Sequence, residues 1–252
     1  MPPISATIVA RNEAANIRRC LDSLRWVDEI VVVDNQSSDV TGEICRAFGC
    51  RVLVSEWLGF GRMKQMAVDA ARHDWILALD ADEEVSDALR ERIRVLLATD
   101  PPHAGYRIRF QGYYLGREMR HAGWGHECHV RLFDRRRGRY PDRRLHESWQ
   151  PEGPKGELDE PILHHAYPTI AAHLGKIDRY GRLAAQQLFE QGRCVSLLGT
   201  AARGVHRFLK MYLVQGGFRD GREGFVLSAI SAFGVFSKYL RLWELNRWKR
   251  SS

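Results

Sequence analysis

Through the first third of the chain, the apolar positions switch between two periods. Runs at residues 6–10, 29–33, 51–54 and 75–79 are short, branched or aromatic and uncharged in their centres, as strands are. Between the first two, Ile17, Leu21 and Leu24 recur at helical spacing, with Asn12 placed to cap that helix. A second helix is predicted from about Val40 and stops at Gly49, and a third contains Lys64 to Ala71. Strands separated by helices of this length imply a parallel, doubly wound α/β sheet. The run from Trp75 to Leu79 reads as its central strand, covered on both faces.

Later, the pattern changes. Ser86 is placed to cap an amphipathic helix over residues 87–98, with Leu89, Ile93, Leu96 and Leu97 on one face, and Pro101-Pro102 ends it. Residues 106–110 and 128–133 alternate like edge strands of a mixed sheet. The intervening stretch 111–126 is rich in Gly, Tyr, Trp and His, including Trp124, a composition suited to a binding pocket because aromatic faces stack on ligand rings while polar tips bind hydroxyls. From Thr169 the chain reads as helical: 170–191 up to Gly192, then 197–214 up to Gly216-Gly217, then an almost wholly apolar segment, 225–237. That segment is shorter than the roughly 20 residues that cross a bilayer. Lys238, Arg241, Trp243, Arg247, Trp248, Lys249 and Arg250 follow, which suits a helix lying in a membrane interface or one packed on the rest of the chain or a second subunit.

At 252 residues, 44% hydrophobic and 27% charged, the composition is that of a folded globular chain. The net charge of +7 points to an anionic partner: a nucleotide sugar, an acidic membrane surface or a nucleic acid. Five scattered cysteines without C-x-x-C spacing predict free thiols in a reducing compartment. The chain opens on a strand-like segment with no leader pattern, so a cytoplasmic protein is expected.

The candidate chemistry sits where the fourth run ends, in Asp80-Ala81-Asp82-Glu83-Glu84. On an extended chain Asp80 and Asp82 share a face, and two such acids call for a cation between them. A divalent metal carrying a diphosphate is the natural guest. Ligands of open α/β sheets bind beyond the carboxyl ends of the strands. That edge also receives Arg11, Asn12 and Glu13 after the first strand, Asp34 and Ser37 after the second, and Lys64. Each has a plain structural role open to it; together they point to a site. No G-x-G-x-x-G or G-K-[ST] follows any strand, which removes the main support for dinucleotide and P-loop readings.

Three further constellations compete for a role. His126, Glu127, Cys128 and His129 lack the spacing of a zinc site. Arg135-Arg136-Arg137-Gly138-Arg139 with Arg143-Arg144 fits either an anion site or the solvated tip of a hairpin, and no aromatic nucleic-acid motif accompanies it. His146-Glu147 follows the mixed-sheet segment, and the pair His164-His165 before Tyr167-Pro168 fits either an approach to the diphosphate or a structural role.

The stretches Ala10-Arg11-Asn12-Glu13, Val32 to Thr41, Gly61-Arg62-Met63-Lys64-Gln65 and Leu79 to Glu83 resemble the nucleotide-sugar half of an inverting GT-A-type glycosyltransferase of family two. Within it, the chain is most similar to the lipopolysaccharide core glucosyltransferases that attach a β-linked glucose to heptose. The resemblance implies a GT-A fold, Rossmann-like with a mostly parallel mixed sheet, over residues 1–168. The nucleotide half would cover about 1–85, the acceptor half about 100–168, and a helical extension 169–252. It also implies a UDP-sugar donor, a lipid-linked saccharide acceptor, Mg²⁺ or Mn²⁺ as cofactor, no nucleic-acid partner, and a peripheral cytoplasmic location at the inner face of the membrane, with a homo-oligomer open. Ala10, Arg11, Glu13, Asp34, Lys64 and Asp80 would bind the nucleotide and Asp82 the metal, while Trp124, Glu127, His146 and His165 would face acceptor or diphosphate. Inversion needs a base outside the nucleotide edge. Glu147, beside His146, is best placed, ahead of Glu127 and Asp142. A sugar nucleotidyltransferase is the rival enzyme, but it wants a glycine-rich loop where Ala10-Arg11-Asn12-Glu13 has none. A basic membrane-surface or RNA-binding module is the rival without catalysis.

Overall fold

The computed structural model describes residues 2–125, 127–141 and 148–251, the last three by backbone alone. Its first third alternates as expected: β1 (Ile4–Ala10), α1 (Ile17–Asp22), β2 (Glu29–Asp34), α2 (Thr41–Phe48), β3 (Arg51–Val54), α3 (Phe60–Ala70) and β4 (Trp75–Asp80). The four strands are parallel in the order β3-β2-β1-β4. Register fixes the functional edge, because Ala10 lies opposite Asp34 and Val9 opposite Asp80. One face buries Ile17, Cys20 and Leu21 of α1, with Leu24 just after it, against Ile4, Ile8 and Leu77, and the other buries Met63 and Ala67 of α3 against Val33. Each fully buried aliphatic side chain contributes about 1.5–3 kcal/mol.

Beyond β4 come β5 (Glu83–Val85), α4 (Asp87–Ala98), β6 (Gly105–Tyr114), β7 (Arg117–Met119), β8 (Cys128–Asp134), β9 (Gly138–Arg139), β10 (Gln150–Pro151) and β11 (Lys155–Tyr167). They extend the sheet to β3-β2-β1-β4-β8-β6-β11-β5, with β7 paired on β6. The sheet is therefore mixed and Rossmann-like, the GT-A class. Contrary to the edge-strand reading of 106–110 and 128–133, β6 and β8 are interior strands: β8 lies between β4 and β6, antiparallel to both. On β6 the alternation comes from Arg107 and Arg109, which stay exposed on one face, and on β8 Arg131 is turned inward onto buried Glu83. Ser86 caps α4 by accepting from the Leu89 amide at 3.2 Å, and the predicted face of Leu89, Ile93, Leu96 and Leu97 is the buried one.

Two compact units emerge, Met1–Phe110 with His126–His164, and Gln111–Gly125 with His165–Ser252. The second contains α5 (Ile170–Glu190), α6 (Leu197–Leu209), a π-helical turn at Lys210–Val214 and α7 (Gly221–Ser251). The apolar segment 225–237 continues into the basic, tryptophan-bearing stretch as one helix of 31 residues. Glu244 and the basic residues are good helix formers, so nothing in the chain stops it at Ser237. Gly217–Trp248 is long and apolar enough to cross a bilayer, by length and composition only. It packs along both α5 and α6 at glycines. A Cβ on Gly204 of α6 would meet Phe236 at 3.2 Å, and one on Gly234 would meet Ile177 at 3.1 Å. Asp220 ties the loop at 111–125 to this unit by accepting from the amide of His121 at 2.9 Å and contacting its ring at 2.9 Å.

His173, on α5, gives this unit a pH dependence. It is buried, stacked on Tyr167 at 4.0 Å and within 3.1 Å of the Tyr114 hydroxyl. Burial, with help from Lys176, lowers its pKa to about 4 from an ordinary 6.5. The unfolded chain therefore takes up this proton first, so the stability present above pH 6.5 is lost as pH falls toward 4. The loss is on the order of 3 kcal/mol at most. Thermal unfolding between pH 7 and 4.5 is expected to show a flatter slope for His173→Phe than for the wild type, and equal slopes would refute this assignment.

Candidate active site

The loops after β1 and β2 hold each other. Asn12 does not cap α1, which starts at Ile17 after Asn16; instead it adopts a left-handed φ of 55° and braces the opposite loop. Its amide donates to Ser37 Oγ at 2.9 Å, and its Oδ1 accepts from the Ser38 amide at 2.7 Å. The Glu13 amide donates to Thr41 Oγ1 at 2.9 Å, and the Glu13 carboxylate accepts from Asn16 at 2.8 Å. Arg11 is exposed, with Nη1 at 3.4 Å from Asn35 Oδ1, while buried Ala10 offers its carbonyl to the Asn35 amide at 2.8 Å. Asp34 is buried, accepts from the Ser37 amide at 3.0 Å, and sits so close to α2 that a Cβ on Gly42 would come within 2.9 Å of its Oδ2.

At the end of β4 the chain turns at Ala81-Asp82 before β5, so Asp80 and Asp82 do not share the face of one extended strand as the spacing predicts. They enter different environments. Asp80 lies between Lys64 Nζ at 3.1 Å and Arg131 Nη2 at 2.8 Å. Burial works to raise its carboxyl, but the charges of Lys64 and Arg131 outweigh this and hold it well below the ordinary range. Glu83 is buried, accepts from Arg131 at 2.5 Å and from the Asp80 amide at 2.9 Å. Burial pushes Glu83 up to about 7, with Arg131 opposing and Asp80 adding to the rise. Arg131, buried beneath the ring of Phe110 at 5.2 Å, stays charged, because the two acids outweigh the cost of its burial.

Asp82, 8% exposed, lies 3.6 Å from His164 Nε2 by its Oδ2. His164 arrives from β11, which pairs antiparallel with β5 so that His164 lies opposite Glu83. Among the described residues no three His, Cys, Asp or Glu side chains form a metal cluster. A carboxylate with one imidazole still fits a divalent ion that takes its other ligands from diphosphate and water, as Mg²⁺ does.

The predicted residues therefore divide. Ala10, Arg11, Glu13, Asp34, Lys64, Asp80 and Asp82 all fall at one edge of the first unit. Glu127, exposed, accepts from the Phe110 amide at 2.9 Å through its carbonyl. Trp124 and His165 belong to the second unit. There Trp124 lies on Gly112, where a Cβ would come within 2.3 Å of its ring, and His165 stacks on Tyr113 at 4.9 Å. Glu147 and His146 lie outside the described residues, as do His126, Asp142, Arg143 and Arg144. Of the arginine run, Arg135 donates to the Ala71 carbonyl at 2.5 Å and Arg136 pairs with Asp134 at 2.7 Å, so both serve the fold.

Arg131 took no part in the sequence-derived set for this edge, and His164 entered only as one of the pair His164-His165, read as approaching the diphosphate or serving the fold. A lone arginine inside Val130-Arg131-Leu132-Phe133 is the signal for Arg131, since a charge in a buried strand demands buried acids. Arg131→Met is expected to destabilise the protein by about 3–5 kcal/mol by leaving Glu83 and Asp80 without their cation. Adding Glu83→Gln should recover part of that loss in denaturant unfolding. An unchanged midpoint in the single variant would refute the role.

Comparison with known proteins gives a consistent family. Several relatives span nearly the whole chain, two of them as follows. The first is LpsC of Rhizobium meliloti (strain 1021), a lipopolysaccharide core biosynthesis glycosyltransferase, at 29% identity over 98% of this chain and 94% of the relative. The second is the uncharacterized glycosyltransferase RT0209 of Rickettsia typhi, at 30% identity over 100% of this chain and 90% of the relative. Among solved structures, S. aureus TarS 1–349 aligns with a TM-score of 0.45 at 12% identity, covering 99% of this chain and 91% of that one. Glucosyl-3-phosphoglycerate synthase from Mycobacterium tuberculosis, in complex with Mn²⁺, UDP and its product, aligns with a TM-score of 0.37 at 24% identity, covering 45% and 44%. Residues 5–150 match the model of Glycosyl transferase family 2, and the chain belongs to that family.

Proposed function

We propose that this glycosyltransferase is an inverting, metal-dependent hexosyltransferase. It would move glucose from a UDP-sugar to a hydroxyl of a lipid-linked saccharide such as the lipopolysaccharide inner core, at the cytoplasmic face of a membrane. The pairing of Asp82 with His164 at 3.6 Å, beside the neutralised carboxylate of Asp80, is the observation that carries the metal-dependent donor site. The similarity to LpsC, named for lipopolysaccharide core biosynthesis, supports the acceptor class.

Charge explains how the edge would accept its guest. Lys64 and Arg131 are balanced by Asp80 and by Glu83, which titrates only near 7. This group of four thus carries little net charge, and a metal diphosphate, itself near neutral, would be accepted beside it without a large unpaired charge. Asp82 and His164 would hold the metal; Ala10, Arg11, Glu13, Asp34, Lys64 and Asp80 would bind the nucleotide. When bound, Mg²⁺ or Mn²⁺ stabilises charge developing on the departing UDP. Glu147 would take the proton of the acceptor hydroxyl, with His146 beside it. Trp124, Glu127 and His165 are the further acceptor or diphosphate contacts in this reading.

Incubation with a panel of UDP- and GDP-sugars plus Mn²⁺ is expected to show slow hydrolysis of UDP-glucose, and hydrolysis of a GDP-sugar alone would overturn the donor assignment. Asp82→Asn and His164→Ala should each weaken metal-dependent UDP binding while the fold persists. Undiminished affinity at saturating Mn²⁺ would reject both ligands. Glu147→Gln should lower turnover by about 10²–10⁴-fold at nearly constant donor affinity; a smaller loss would move the base to Glu127.

A further inference from the structure

Two properties that most proteins spread over their surface are concentrated in one part of this chain. Residues 165–252 carry fourteen Lys and Arg against five Asp and Glu, a net +9 within a chain total of +7, so residues 1–164 are net −2. The same region holds fifteen of the nineteen large hydrophobic side chains that are exposed among the described residues; the other four are Val40, Val54, Trp57 and Val95. Scattered exposed apolar residues need no explanation, whereas a contiguous set on one helix face does.

Such a set runs along α6 and into the π-helical turn that follows it. Its inner face buries Thr200 and Gly204. Leu198, Val205, Leu209 and Leu213 recur at helical spacing on the other side and are 82, 60, 44 and 55% exposed. At one end of the stripe, Phe218 and Phe225, each about half exposed, flank Tyr212 with ring centroids at 6.3 and 5.7 Å. Arg203 and Lys210, both exposed, border the stripe. An apolar stripe bordered by cations, on a helix already anchored by its opposite face, matches the chemistry of the headgroup boundary of an anionic bilayer.

We infer that the outer face of α6, continued by the aromatic cluster around Tyr212, is a docking surface for an anionic lipid bilayer. Charge selects this occupant over a second copy of the chain. Two copies meeting through this face would bring together regions of net +9 each, whereas anionic headgroups supply the missing counter-charge. α7 is held along α5 and α6 in this arrangement, so docking is peripheral: the apolar side chains of α6 enter the interface, and the cations remain at headgroup level. The inference adds a surface to the membrane-borne acceptor of the proposed function, yet its test does not depend on glycosyl transfer.

The test is flotation of the full chain with vesicles of phosphatidylcholine alone or phosphatidylcholine with phosphatidylglycerol, at low and high salt. Binding is expected only with the anionic lipid and should fall as salt rises. Leu198→Gln, Val205→Gln and Leu209→Gln combined should weaken it by more than about tenfold, with unfolding temperature and UDP binding unchanged because all three side chains are exposed. Three results would overturn the inference: undiminished vesicle binding by the triple variant; salt-resistant binding to neutral vesicles, which would signify insertion of α7; or a dimer in solution that the triple variant turns into a monomer. Loss of UDP binding by the unsubstituted protein with vesicle binding intact would count against the donor reading alone.

Discussion

Four charges packed together at the end of β4 set the terms for the first unit. Lys64 comes from α3, Asp80 from β4, Glu83 from β5 and Arg131 from β8, and they meet at 2.5–3.1 Å. Removing water from such a group is costly unless every member is paired, so all four elements must be in place together. This makes the carboxyl edge of the sheet a rigid floor, not a set of independent loops. The loops above it are fastened in the same manner, Asn12 to Ser37 and Ser38, and Glu13 to Thr41. A site whose polar groups are already oriented spends little of its binding free energy on ordering them.

The second unit is organised by close approach more than by charge. Glycines at 204 and 234 let α7 lie against α6 and α5, and Arg241 donates to Asp178 on α5 at 2.5 Å. The buried cluster of Tyr114, Met119, Ala122, Met211 and Leu227 joins the loop at 111–125 to the helices. With the inner faces thus occupied, the large apolar residues left over on α6 are exposed for a reason other than a failure to pack.

Much of this was legible in the residues alone. The alternation of strand and helix through Asp80, the Ser86 cap, the buried face of α4 and the stops at Gly49, Gly192 and Gly216 follow from local rules, and the glycines at the stops have positive φ as those rules require. What local rules misplace is whatever depends on a distant partner. β6 and β8 alternate like edge strands although both are interior: β6 has one solvated face, β8 turns Arg131 onto acids supplied from elsewhere, and periodicity does not distinguish a paired charge from a solvated one. Asn12 has the composition of a cap but is used as a brace between loops 25 or 26 residues apart. His164 was visible as a histidine, but its meeting with Asp82 depends on the pairing of β11 with β5.

That pairing also bears on how the protein comes into being. β5 is three residues long, and its partner strand lies far downstream, with His164 opposite Glu83. A nascent chain that has finished the parallel strands therefore holds Asp82 on a short arm with no cross-strand support until β11 is made. The loop closed by this contact is long, so the contact is favoured only after the intervening sheet has formed. The carboxylate–imidazole pair is thus a late product of folding. A ribosome-bound or truncated chain ending before β11 would hold the parallel strands and Asp82 but lack the imidazole that meets it.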